Sequence, residues 1–230
     1  MKMIGMIGGM SWESSAEYYR LLNRDVRGRL GPTASARCLL WSFDFSEIER
    51  LQRAGDWDAL TAMMIDAARR LEAGGAGLLI ICTNTMHLMA DAVQAAVSVP
   101  LLHIADVAAD RLHAAGIEKA GLLGTAFTME RDFYRDRLSA RHGLSVVVPG
   151  AEDRAVAHRI IYDELVAGVV SEASRDAYRA IIARLVDAGA EAIILGCTEI
   201  MLLVQPEDSP VPLFDTTTLH AAAAVEGAVG

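Results

Sequence analysis

Cys197 stands between Gly196 and Thr198-Glu199, two residues beyond the end of the apolar run Ala192–Leu195. Most free cysteines are small buried hydrophobes, so its position matters more than its type. A thiol at the carboxyl end of a buried strand lies where open α/β sheets bind ligands. The preceding glycine permits close approach of backbone or ligand. Backbone amides opening the next helix are expected to favour an anion there, and so a thiolate. The segment Arg70–Thr85 matches Arg184–Glu199 without a gap at an offset of 114, from Arg70 to Arg184 and from Thr83 to Cys197. That match pairs Cys82 with Gly196 and Thr83 with Cys197. Strand side chains alternate between faces, so Cys82 and Thr83 are not expected to share a cleft. Thr83 is the counterpart of Cys197, and Cys82 is expected to pack behind it. Two equivalent strand ends on either side of one ligand would suit the movement of a proton across it. Asn84, Thr85 and Thr198 follow in the same loops. Their amides and hydroxyls can bind a carboxylate without full charge, or simply cap helices.

The elements that position these residues also repeat. Ile4–Gly9 matches Ala120–Thr125 at an offset of 116, from Ile4 to Ala120. Two copies at so long a period point to duplicated domains rather than a solenoid. Short apolar runs alternate with helical patterns, the signature of βαβ units. Strands are expected at Lys2–Ile7, Cys38–Phe43, Leu78–Ile81, Leu101–Ile104, Ala120–Leu123, Ser145–Val148, Ala192–Leu195 and Val211–Phe214. Helices are expected from a capping box at Ser14-Ser15-Ala16-Glu17, and at Trp57–Ala73, Met86–Val97, Met129–His142, Arg154–Gly168 and Arg175–Ala188. Apolar strands of this kind need helices on both sheet faces. Pro100 and the stretch Pro206–Pro212 mark crossings, giving a first domain of residues 1–99 plus 212–230 and a second of 100–211.

Composition bounds the function. Hydrophobic residues make up 53% of the 230 and charged residues 22%, enough to build a sizeable core. A net charge of −9 argues against nucleic acid and anionic membrane as partners. Cys38, Cys82 and Cys197 are too few and too dispersed for a disulfide framework or a zinc site. They fit reduced thiols in a cytoplasmic protein. The apolar start is cut by Gly8-Gly9, too early for a signal peptide. The uncharged stretch Ala73–Ala90 carries Gly, Thr, Asn and His where a spanning helix needs apolar residues. The Gly8-Gly9-Met10-Ser11 turn lacks the GxGxxG spacing of dinucleotide sites and suits close backbone approach. The histidines are scattered without ligand spacing, and Met10, Met86 and Met89 suit adaptable packing. No Walker, GxSxG or pyridoxal-lysine context is visible.

Taken together, Ile7-Gly8-Gly9-Met10-Ser11-Trp12-Glu13-Ser14, Cys82-Thr83-Asn84-Thr85-Met86-His87 and Gly196-Cys197-Thr198-Glu199-Ile200 resemble the aspartate/glutamate racemase family. The resemblance runs over essentially the whole chain. It is strongest to enterobacterial L-aspartate/glutamate-specific, or broad-specificity, amino-acid racemases. It implies an α/β fold of two pseudo-symmetric doubly wound domains with mainly parallel sheets and an interdomain active site. It also implies a small amino-acid substrate, no pyridoxal phosphate, metal or other cofactor, and a homodimer. The first motif usually opens on a catalytic cysteine, which is Thr83 here, in agreement with the internal repeat. Cys197 keeps the second. The implied site adds Met10, Gln52, Asn84, Thr85, Thr125 and Thr198 against the substrate. A lysine typical of aspartate racemases aligns with Val166, and a basic position near the second strand falls at Arg50 or Gln52. Loss of that lysine weakens the case for strict selection of a distal carboxylate. A threonine hydroxyl is a far poorer base than a thiol of pKa about 8.5, so proton removal from the Cys197 face should be the easier. Other readings are a single-cysteine decarboxylase or another isomerase of the superfamily, and a catalytically weak amino-acid-binding protein. Nucleotide binding would rest on fold analogy alone.

Overall fold

Four fully apolar residues, Leu78–Ile81, form a strand with both faces buried, and the rest of the fold follows from covering such strands twice. The computed structural model describes residues 1–230. The first unit comprises Met1–His103 and His220–Gly230, the second Ile104–Leu219.

In the first unit the order is β1 (Ile4–Gly8), α1 (Trp12–Leu30), β2 (Cys38–Ser42), α2 (Phe45–Ala54), α3 (Trp57–Ala73) and β3 (Leu78–Ile81). A 3-10 turn at Thr85–Met89, α4 (Ala90–Ala95) and β4 (Leu101–Leu102) follow. The sheet is parallel in the order β2-β1-β3-β4, with Ile4 opposite both Cys38 and Leu78. Side-chain alternation divides its core. Ile7, Leu79 and Ile81 pack with Leu60, Met64 and Leu71 of α3. Ile4, Met6, Leu78, Ile80 and Cys82 pack with Tyr18, Leu22 and Val26 of α1 and with Ala221, Ala224 and Val225 from the C-terminal helix. Full burial of one such aliphatic side chain contributes about 1.5–3 kcal/mol.

The second unit repeats the plan. It contains α5 (Ile104–Ala114), β5 (Lys119–Gly124), α6 (Ala126–Glu130), α7 (Asp132–Asp136), a π turn at Arg137–Arg141 and β6 (Ser145–Val147). Then come α8 (Ala151–Asp163), α9 (Glu172–Asp187), β7 (Ala192–Gly196), α10 (Ile200–Leu203) and β8 (Leu213–Asp215). Its parallel sheet runs β6-β5-β7-β8, the order of the first sheet strand for strand. Leu123, Ile193, Leu195 and Cys197 pack against α8 and α9, while Ala120, Leu122, Ala192 and Ile194 pack against α5. The final helix, α11 (Thr216–Val229), begins in the second unit and ends in the first.

Several expectations shift. The boundaries anticipated at 99/100 and 211/212 fall at 103/104 and 219/220. Leu101–Leu102 hydrogen-bonds alongside β3, and Leu213–Asp215 alongside β7 rather than in the first sheet. The prolines mark strand entries, not unit crossings. The first helix starts at Trp12, because the Ser11 hydroxyl accepts the Ser14 N–H and caps it. The helices expected at Met86–Val97 and Met129–His142 are each broken into shorter turns. No helix is long and apolar enough to cross a membrane.

Candidate active site

In both units the candidate residues, Gln52 of α2 apart, follow the carboxyl ends of the two central strands. After β1 the chain turns at Gly9, whose φ of 83° and close packing leave no room for a side chain. A Cβ there would stand 2.3 Å from the Phe43 backbone. The turn is held by its own hydroxyls: Gly9 N–H donates to Ser15 Oγ at 2.8 Å, and Ser15 Oγ donates to the Ser11 carbonyl. Met10 is buried beside this turn and shares a cluster with Met86 and Leu51. Gln52, near the end of α2, is 7% exposed. Its amide Nε2 donates to Met86 Sδ at 3.5 Å, and its Oε1 is buried with no hydrogen-bond partner in the chain. Arg50, the other position implied near the second strand, is exposed.

Beyond β3, Cys82 is fully buried in the cluster under α1 and the C-terminal helix. Burial raises its thiol far above the ordinary range. Thr83 is only partly buried, whereas Cys82 and residues 84–87 are all buried. The carbonyls on either side of the Cys82–Thr83 step are both held by side chains. Ser14 Oγ donates to the Cys82 carbonyl at 3.0 Å, and His87 Nδ1 lies 2.8 Å from the Thr83 carbonyl. Asn84 and Thr85 are 2% and 6% exposed, and Asn84 does not cap the 3-10 turn with its side chain.

In the second unit, Thr125 follows β5 and caps α6 through the Thr128 N–H. The His158 Nδ1 accepts the Ala126 N–H. Gly196 ends β7 against the neighbouring strand, where a Cβ would come within 2.9 Å of the Leu123 carbonyl. That closeness fixes where Cys197 emerges. Cys197, Thr198 and Glu199 are each almost wholly buried. The Cys197 thiol donates to Glu199 Oε2 at 3.0 Å, and the Thr198 hydroxyl donates to the same oxygen at 2.8 Å. Val166, at the implied lysine position, packs against the core cluster that includes Cys197.

The electrostatics differ from the sequence expectation of a stabilised thiolate. Burial, then the Glu199 carboxylate, push the Cys197 thiol well above its ordinary range. The backbone N–H groups of Thr198 and Glu199 act in the opposite direction and are outweighed. Cys197 therefore rests as a thiol hydrogen-bonded to the Glu199 side chain.

Met10, Gln52, Thr83, Asn84 and Thr85 thus belong to the first unit, and Thr125, Cys197 and Thr198 to the second. Glu199 is not among the residues expected at the site, and its place two residues after a strand-end thiol is the signal the sequence carries for it. The histidines are scattered along the chain. His87, His103 and His220 instead form one buried group in the first unit, with His87 ring centroids 4.6 and 5.7 Å from the other two. Their separation along the chain gave no sign of this.

Comparison with known proteins agrees with this architecture. Residues 7–224 match the family described as Asp/Glu/Hydantoin racemase. The broad specificity amino-acid racemase RacX of Bacillus subtilis (strain 168) is 27% identical over 174 residues, covering 74% of this chain and 73% of that protein. A candidate Asp/Glu racemase from Yersinia pestis is 51% identical, with full coverage of both chains and a TM-score of 0.94. An aspartate racemase homologue from Pyrococcus horikoshii OT3 is 35% identical, again over both full chains, with a TM-score of 0.87.

Proposed function

Because this chain belongs to the Asp/Glu/hydantoin racemase family, we propose that it racemises aspartate or glutamate without a cofactor, using Cys197 and Thr83 as its two proton-transfer groups. The observation that carries this reading is the buried Cys197 thiol donating to Glu199 at the end of β7. Racemisation requires an α-proton to leave one face of a carbon and another to arrive on the opposite face. The Cys197 proton passes to Glu199 Oε2 along their 3.0 Å contact, leaving a thiolate. The substrate ammonium offsets the Glu199 charge that otherwise disfavours that thiolate. The thiolate removes the α-proton, and the bonding electron pair moves into the substrate carboxylate as an enolate. The Thr83 hydroxyl, or a water it holds, delivers a proton to the other face. That hydroxyl regains its proton from solvent, to which Glu199 returns the one it took.

Developing charge on the carboxylate is met by donors from Asn84 and Thr85, and by the Thr198 hydroxyl once Glu199 Oε2 has taken the thiol proton and no longer holds it, the electrostatic contribution that usually dominates such sites. The buried Gln52 Oε1 suits an N–H of the substrate ammonium, and Met10 packs alongside. Thr125 supports the β5 turn as a helix cap, and binding through its backbone is the role left to it.

The reading is tested by proton NMR of L- and D-aspartate and L- and D-glutamate, each incubated in D2O with protein, with chiral chromatography of the same samples. Loss of the α-proton signal together with inversion is expected. No exchange with any of the four would overturn it.

A further inference from the structure

Three imidazoles and a phenol are buried together in the first unit, and hydrogen bonds fix the protons of two of the rings, His220 and His87. His220 Nε2 faces the Leu102 carbonyl at 3.0 Å, so it carries a proton, and His220 Nδ1 accepts the Tyr18 hydroxyl at 2.9 Å. A carbonyl oxygen only accepts, so His87 Nδ1, 2.8 Å from the Thr83 carbonyl, is likewise the donor. His103 packs edge-on against His87. All three rings are at most 6% exposed, and the group is not arranged to hold a metal ion.

The local backbone explains why the His87 contact exists. In an α-helical turn the Thr83 carbonyl would receive the N–H of residue 87. Here the chain winds more tightly, and the His87 N–H goes to the Asn84 carbonyl at 3.1 Å instead. The His87 ring takes over the bond that the backbone gives up. With Ser14 on the Cys82 carbonyl and Cys82 N–H on the Ile7 carbonyl, the peptide units around Thr83 are tied from three directions.

We infer that His87 is a positioning residue, its ring held by His103 and His220 so that its Nδ1–H fixes the Thr83 carbonyl and thereby the placement of the Thr83 hydroxyl for proton transfer. This rests on the racemase reading above. The contact is to backbone, so the inference separates His87 from the groups that touch substrate. Small misplacements of a reacting group can cost about 100-fold in rate.

The test is a double-mutant cycle on kcat in both directions. His87→Ala should lower kcat about 10- to 100-fold with KM changed less than about threefold. His87→Asn, which can restore an N–H near the Nδ1 position, should recover most of that loss. In a Thr83→Ala background, His87→Ala should add almost nothing, because the group it positions is gone. Circular dichroism and thermal melting of each variant show whether it is folded. If His87→Ala fails to fold, His87→Asn against His87→Leu gives the same comparison. Full activity of folded His87→Ala, or losses that simply multiply in the double variant, would overturn the inference. Wild-type protein inert toward all four substrates would overturn the racemase reading and this one with it.

Discussion

Among single residues, the candidate site holds polar groups where burial makes them costly. Gln52 buries an amide oxygen that no group in the chain satisfies, and such an orphan costs about 1–3 kcal/mol. Gln52→Met should therefore leave the fold as stable or more so, by up to about 1 kcal/mol in urea unfolding, while raising KM about 10-fold. Equal loss of stability and activity would refute that assignment. Glu199 acts on Cys197 with a definite sign. A carboxylate beside a thiol favours the protonated form, so Glu199→Gln should make the thiolate easier to form. The midpoint of iodoacetamide alkylation at Cys197 should then move to lower pH, even as turnover falls for want of a proton acceptor. A midpoint that rises or stays fixed would contradict the coupling. In the sequence, Cys197 and Thr83 stand out through the internal repeat and Gln52 through the family resemblance, and the structure places Cys197 and Gln52 in buried positions. Glu199 was signalled only by its spacing from Cys197, and the contact itself depends on a side-chain rotamer that no spacing encodes.

At the scale of elements, the strands were legible because doubly buried strands are continuous apolar runs, as at Leu78–Ile81 and Ala192–Gly196. Helices that are short or strongly amphipathic were not. The Phe45–Ala54 helix carries an almost entirely polar outer face over the buried Ile48, Leu51 and Gln52, and reads as surface until the fold places it. The Met129–His142 pattern breaks at Arg131, whose extended backbone ends one helix and begins the next. The histidine group joins the 3-10 turn after β3, the chain just beyond β4 and α11, three segments that only tertiary packing brings together. It has a measurable consequence. Burial lowers His220 to about 4 from an ordinary 6.5. The unfolded chain therefore binds a proton below about pH 6.5 that the native state refuses. Stability from this group is complete above pH 6.5 and is lost as pH falls toward 4, by about 3 kcal/mol in all. His220→Gln should flatten the pH dependence of unfolding free energy across that window. An unchanged slope would show that His220 does not titrate this way.

At the scale of the whole molecule, the chain is one βαβ plan used twice. The two sheets share a strand order, and the two matched motifs fall on equivalent strands, β1 with β5 and β3 with β7. That duplication was readable from the sequence at offsets of 114 and 116, from Thr83 to Cys197 and from Ile4 to Ala120. The unit boundaries were not, because Pro100 and Pro212 each precede a short strand rather than a crossing. The overall charge adds a further expectation. A molecule of net charge −9 repels an acidic amino acid at long range. Raising the salt concentration shortens the reach of that repulsion, so KM for aspartate or glutamate should fall between low and physiological ionic strength with kcat nearly constant. A rising KM would show that local attraction dominates. In the proposed reaction two unlike groups, a thiol and a hydroxyl, share one racemisation. Its most direct test is kcat for each enantiomer, in wild type and in Thr83→Cys, followed by α-proton loss in D2O and chiral chromatography. Unequal kcat values are expected in wild type, converging in Thr83→Cys, with activity abolished by Cys197→Ala. Equal wild-type values untouched by Thr83→Cys, or full activity in Cys197→Ala, would contradict it.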